Sequence, residues 1–211
     1  MADVEAKADE VEANTNLTNN DTKIIVVDEK YCTPEIKEFV VKRRATVTIR
    51  GVCELLDDDG NILLQSEGSN FRIHKKFTMK DSLGCPILTF HEAALLDKHR
   101  WDIYRGESME KQDLLFSAKR TSYMYARSRV DVFLPDNHNN QVGDFHIIAT
   151  FTTDSWNMYH GTVLIAQVDR SICLARIIKL KEETVKLKAG KGVDYAFLFA
   201  MVVIMCMMHT E

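Results

Sequence analysis

At 211 residues and 24.2 kDa the chain suits one domain, or one domain with a tail. It is 45% hydrophobic and 27% charged, with nine glycines and three prolines. That excludes a collagen-like or Pro-rich low-complexity chain and permits a sizeable core without disulfides or metal. The formal charge of −4 is uneven: residues 1–21 hold six acids against Lys7, a net −5, which leaves +1 for residues 22–211. A near-neutral body disfavours direct nucleic-acid binding, because phosphate contact needs clustered Lys and Arg.

The start, Met1-Ala2-Asp3-Val4-Glu5, is acidic and has no apolar stretch of the secretory kind. A cytoplasmic chain is therefore expected. Its five cysteines (Cys32, Cys53, Cys85, Cys173, Cys206) contain no C-x-x-C pair and read as reduced, mostly buried thiols. Residues 1–22 read as a disordered acidic tail, since they lack any aromatic to anchor them. Residues 23–211 then form the folded domain.

From Ile24-Ile25-Val26-Val27 onward the pattern is strands and turns. Val47 and Ile49 alternate with polar neighbours, as do Phe71 and Ile73, Trp101 and Ile103, Phe145, Ile147, Ala149 and Phe151, and Val185 and Leu187. Period two means one buried and one exposed face. Asp59-Gly60 between Val52–Leu56 and Ile62–Gln65 marks a hairpin, because both turn positions can take φ > 0. Asp81–Gly84 marks another turn, and Pro135–Gly143 a polar loop. Many short strands at this spacing predict an antiparallel barrel or sandwich.

The pattern breaks at Tyr195–Met208, which contains no charged residue. Gly190-Lys191-Gly192 supplies a flexible lead-in, and Asp194 sits where an N-cap belongs. A helix apolar all round must be buried on every side. At about 1.5 Å per residue it spans roughly 21 Å, short of a bilayer core of roughly 30 Å that wants about 20 apolar residues. A core plug is favoured; a tail anchor is the alternative. A closed antiparallel barrel threaded by this helix satisfies both patterns, and Met201, Met205, Met207 and Met208 suit an irregular tubular space.

At this point the chain resembles the LURP-one-related proteins, a plant family within the tubby C-terminal-like superfamily. The matching segments are Val27-Asp28-Glu29-Lys30-Tyr31-Cys32, Asp59-Gly60-Asn61-Ile62-Leu63, Arg100-Trp101-Asp102-Ile103-Tyr104-Arg105-Gly106, Asp113-Leu114-Leu115-Phe116, Lys119-Arg120-Thr121-Ser122, Asp131-Val132-Phe133-Leu134 and Val193-Asp194-Tyr195-Ala196-Phe197. They occur in the family's order across residues 27–205. The resemblance implies a mainly β fold: a closed antiparallel barrel of about twelve strands around a central hydrophobic C-terminal helix. It also implies kinship to phospholipid scramblases and to tubby-like membrane-tethered transcription factors, with a role in plant defence for one member type. The family supplies no secure biochemical activity. The chain departs from the family at its end, where Cys206-Met207-Met208 continue the apolar run in place of acidic residues.

Enzyme motifs are absent. There is no G-x-S-x-G, H-E-x-x-H or P-loop. Asp57-Asp58-Asp59-Gly60 looks like part of a calcium loop, but Leu55 stands where an acid is needed, and a hairpin turn is the better reading. The seven histidines (74, 91, 99, 138, 146, 160, 209) show no metal-ligand spacing, and His146 reads as an exposed strand residue. No catalytic residue, cofactor or metal is expected.

Basic clusters are the functional lead. Lys42-Arg43-Arg44 stands beside a strand, Lys119-Arg120 precedes Thr121-Ser122, and Arg127 and Arg129 share a face with Tyr123 and Tyr125 by period two. Lys186 and Lys188 share another face. An anionic lipid headgroup needs several cations converging on one spot, with Arg able to grip phosphate in a bidentate fork. The competing reading is a solvated barrel exterior. Ser122, after a basic pair, is a candidate phosphate acceptor. Trp101 reads as a core anchor. The expectation is a monomeric, non-enzymatic binding module, cytoplasmic or peripheral at the plasma membrane with nuclear entry open. It would meet an anionic phospholipid surface or protein partners; the alternatives are an interaction scaffold without lipid contact and a cryptic hydrolase.

Overall fold

The computed structural model describes residues 16–45, 51–70, 75–93, 100–124, 127–137, 141–150, 155–169 and 182–208. Val47, Ile49, Phe71, Ile73, Tyr125, Phe151 and Cys173 lie outside these residues, as do positions 1–15 of the expected tail.

The described residues form twelve strands: β1 (Lys37–Ala45), β2 (Gly51–Leu56), β3 (Ile62–Asn70), β4 (Lys75–Asp81), β5 (Pro86–Glu92), β6 (Arg100–Arg105), β7 (Leu114–Met124), β8 (Arg127–Phe133), β9 (Phe145–Thr150), β10 (Ser155–His160), β11 (Val163–Asp169) and β12 (Glu182–Ala189). Each pairs antiparallel with its neighbours in sequence, and β12 returns to pair with β1, so the barrel closes. Closure removes every free edge. The helix α1 (Tyr195–Met208) fills it, buried without interruption from Ala196 to Met208. This is the plug read from the sequence, and among the described residues no helix is long and apolar enough to cross a membrane.

The lining follows from alternation. Trp101 and Ile103 point inward from β6 while Asp102 and Tyr104 stay partly exposed, and β9 buries Phe145, Ile147 and Ala149. Trp101 is a core anchor, its ring tilted against Phe77 at 5.8 Å between centroids. Phe77 lies over its cross-strand partner Gly68, where any Cβ would fall inside the ring. Bare backbone is what admits the aromatic there. Asp57–Gly60 forms the expected hairpin turn: Gly60 has φ of +83°, and the Asp57 carboxylate accepts from the backbone N–H groups of Asp59 and Asn61. The Asn61 side chain and then its N–H hold the Asp57 carboxyl below the ordinary carboxylate range.

The barrel end at the start of α1 is crossed by the N-terminal segment. Thr18 N–H donates to the Leu164 carbonyl at 2.8 Å, the Thr18 carbonyl accepts from Lys191 N–H at 3.1 Å, and Ile24 bridges Val193. The expected tail does not run free where it is described: Thr18 completes backbone groups of the turn before α1, and Lys191 Nζ meets Asp21 Oδ1 at 2.6 Å. The same turn is not a flexible lead-in. Gly190 N–H donates to Ile165 and Gly192 N–H to Thr33, both at 2.8 Å, and a Cβ on Gly190 would approach Thr18 Cγ2 to 2.6 Å. Of the cysteines, Cys53 and Cys206 are buried, Cys32 is half-buried and Cys85 is exposed in the β4–β5 turn.

Asp194, fully buried, joins the crossing segment to the helix. Its Oδ1 accepts from Ala196 N–H at 3.0 Å and Phe197 N–H at 3.1 Å, the expected N-cap. Its Oδ2 accepts from three successive N–H groups, those of Val26, Val27 and Asp28, at 3.2, 2.7 and 3.2 Å. Burial pushes this carboxyl above its usual range, and the backbone donors, Val27 first, pull it back. Asp194→Asn replaces one acceptor with a donor facing other donors. The expected loss is about 3 kcal/mol of unfolding free energy, since a buried unmade hydrogen bond costs roughly 1–3 kcal/mol and more when charge is involved. A lowered urea midpoint with unchanged slope is the measurement.

Candidate functional site

Strand parity decides where each predicted cation goes. On β7, Phe116 and Ala118 line the interior. Lys119 therefore faces outward, and Arg120 turns in and donates from Nη2 to the Met208 carbonyl at the end of α1. Arg120 thus caps the helix C-terminus, where a cation complements the helix dipole. This corrects its assignment to a headgroup site: adjacent residues on a strand cannot both face outward unless a bulge intervenes. A bulge does follow at once, between Arg120 and Ser122, so Thr121 and Ser122 both lie exposed.

The neighbouring strands complete an outer wall. Lys119 is in register with Arg100 on β6 and with Asp131 on β8, and Ser122 is in register with Arg129. Arg127 and Arg129 alternate with buried Ser128 and Val130. Tyr123 pairs in register with Ser128; the expectation that it and Tyr125 share the arginines' face lies outside the described side chains. Arg100 Nε contacts Asp102 Oδ1 at 2.9 Å, and Ser117 Oγ donates to the same oxygen at 2.6 Å. Arg129 Nε contacts Asp131 Oδ1 at 2.8 Å, and Thr121 Oγ1 donates to Asp131 Oδ2 at 2.7 Å. Arg100, Ser117, Lys119 and Phe133 line a hollow of about 160 Å³. Among the described residues, the outward cations Arg100, Lys119, Arg127 and Arg129 against Asp102 and Asp131 give this wall a net charge of +2. Arg100 was missed in the sequence. Its only signal is alternation with Trp101, and β6–β7 register is what brings it to Lys119.

Lys42 and Arg43 lie elsewhere. β1 is six strands from β7 whichever way round the barrel is followed. Lys42 is exposed, opposite Glu54 and Thr184, whereas Arg43 follows the lining parity of Phe39 and Val41 and sits opposite buried Cys53. Arg44 pairs with Val52 and Glu182. The seven predicted cations therefore do not converge. Lys119, Arg127 and Arg129 are brought together with Arg100; Lys42, Arg43 and Arg44 belong to the opposite side. Lys186, beside β1, pairs with Glu38 at 2.7 Å.

Among the described residues no group of three His, Cys, Asp or Glu side chains is placed to hold a metal, and the hollow's lining includes neither His nor Cys. His146, on the exterior of β9, stacks on Tyr159 at 5.0 Å between ring centroids and is half-buried rather than exposed. Burial and then Arg129 lower its pKa from the ordinary 6.5.

A family model described as LURP-one-related matches residues 37–206, from β1 into α1. The chain belongs to the LURP-one-related family. Similar relatives include LURP-one-related 14 of Arabidopsis thaliana, 32% identical over 87% of this chain and 90% of that one. LURP-one-related 15 of the same plant is 30% identical, covering 86% and 84%. The X-ray structure of an Arabidopsis thaliana protein superposes with a TM-score of 0.66 at 27% identity, over 88% of this chain and 98% of that one. The LURP-one-related assignment and the barrel-with-plug agree with the sequence reading.

Three outcomes follow for this LURP-one-related barrel. Arg120→Ala lowers the unfolding free energy from urea titration by about 1–2 kcal/mol, the scale of a partly buried cation at a helix C-terminus. Lys119→Ala, on the outward face of β7, stays within about 0.5 kcal/mol, as surface substitutions do. For His146 the folded state favours the neutral ring, so its contribution is fully present above pH 6.5 and declines as pH falls through the lowered folded pKa. Urea midpoints measured from pH 7.5 to 5.5 fall, and His146→Phe flattens part of that fall.

Proposed function

We propose that the chain is a non-catalytic binding module that holds anionic phospholipid headgroups on the β6–β8 wall. The observation that supports this reading is the hollow in which Arg100 and Lys119 flank Ser117, continued by Arg129 and Arg127. Three strands at about 4.8 Å spacing span roughly 10 Å, so the cations form a nearly flat patch. A membrane surface meets such a patch all at once. At about 1 kcal/mol per net cation, a charge of +2 favours an anionic bilayer by about 2 kcal/mol, roughly thirty-fold. Under this reading the protein works at a cytoplasmic membrane face, as kin of phospholipid scramblases and tubby-like membrane-tethered transcription factors, in plant defence.

The alternative is a protein-interaction scaffold without lipid contact. Pelleting with vesicles separates the two. Vesicles of phosphatidylcholine alone leave the chain in the supernatant at moderate salt, whereas addition of phosphatidylserine or a phosphoinositide pellets it. The combination of Lys119→Ala and Arg127→Ala abolishes that preference, and Lys42→Ala does not. Equal recovery on neutral and anionic vesicles removes the lipid reading, and partner capture indifferent to Lys119→Ala supports the scaffold.

A further inference from the structure

The bulge between Arg120 and Ser122 places two hydroxyls in succession on the cationic wall. They are not equivalent. Thr121 Oγ1 is held by Asp131 Oδ2 at 2.7 Å. Ser122 is exposed, stands across from Arg129, and has Arg127 two residues further along the same outward face of β8. The local sequence Lys119-Arg120-Thr121-Ser122 puts basic residues two and three positions before the hydroxyl, and Lys119 of that pair faces outward.

We infer that Ser122 is a phosphorylation site whose phosphate is gripped by Arg129 and Arg127 and which releases the wall from anionic lipid. This deepens the lipid reading and rests on it. The donor is a nucleoside triphosphate held by a protein kinase that reads basic residues. Ser122 Oγ attacks the γ-phosphorus, the bond to the β,γ-bridging oxygen breaks, the diphosphate leaves, and the hydroxyl proton passes to the kinase's base. The product brings about −1.5 to −2 charges near neutral pH, which cancels the wall's net +2. Arg129 is placed to exchange part of its contact with Asp131 for a bidentate grip on phosphate. The gain attributed to the wall disappears, so the modified chain binds anionic vesicles roughly thirty-fold more weakly, the reverse of the same charge arithmetic.

The test uses the full chain, ATP with magnesium and a basophilic serine/threonine kinase. Intact mass and peptide mapping find one phosphate on Ser122 and none there in Ser122→Ala. If Ser122 stays unmodified in the folded chain while a synthetic peptide of residues 116–128 is phosphorylated, the site is overturned. In a phosphorus NMR titration, the phosphoserine loses its second proton below about pH 6, the ordinary value, because the arginines favour the dianion. An unshifted titration refutes the grip. Pelleting on phosphatidylserine vesicles then compares the unmodified, phosphorylated and Ser122→Glu forms. Unmodified protein that binds and phosphorylated protein that binds equally well overturns the switch. Unmodified protein that never binds overturns the lipid reading instead, with the site judged by mass and titration.

Discussion

A helix with no polar face still begins with backbone N–H groups that have no helical partner. Inside a barrel those groups have no water, so their satisfaction is a condition of burying the plug at all. Asp194 meets it. One carboxylate oxygen takes the N–H groups of the second and third residues of α1, and the other takes three from the segment that crosses the barrel end. Five donors around one buried carboxylate are what make the charge tolerable there. The crossing segment is thereby part of the fold, reinforced by Arg105 Nη1 donating to the Val27 carbonyl at 3.1 Å.

The opposite end of α1 obeys the same requirement with opposite charge. Arg120 offers its guanidinium to the Met208 carbonyl. Acid at the start and base at the finish match the helix dipole. This arrangement also explains why a contiguous basic stretch is a poor guide to a binding surface in a barrel. Of Lys119 and Arg120, one faces outward and the other meets the plug, and Lys42 and Arg43 take opposite faces of β1.

Legibility tracked the range of the interaction. Alternation exposed the lining at Trp101, Ile103, Phe145 and Leu187, because burial on one face is written into neighbouring residues. The uncharged run Tyr195–Met208 and Asp194 before it were readable for the same reason. The second role of Asp194 was not, since its partners lie 166–168 residues away. Nor was the junction of Arg100 with Lys119, which register alone creates. The bulge that turns both Thr121 and Ser122 outward interrupts the period of two along β7, and no residue pattern announces it. The start of the crossing segment reads as free chain because its ties, the backbone groups of Thr18 and the ion pair of Asp21 with Lys191, join residues about 150–170 positions apart.

Closure between the first strand and the last carries a consequence for how the molecule is made. While a ribosome has released only β1 to β11, the growing sheet has neither the strand that seals it nor the plug that fills it, since both follow β11 in the chain. Its greasy lining must wait, open, for β12 and α1. Contacts this distant along the chain form slowly, so newly made protein depends on being sheltered from self-association until α1 has emerged.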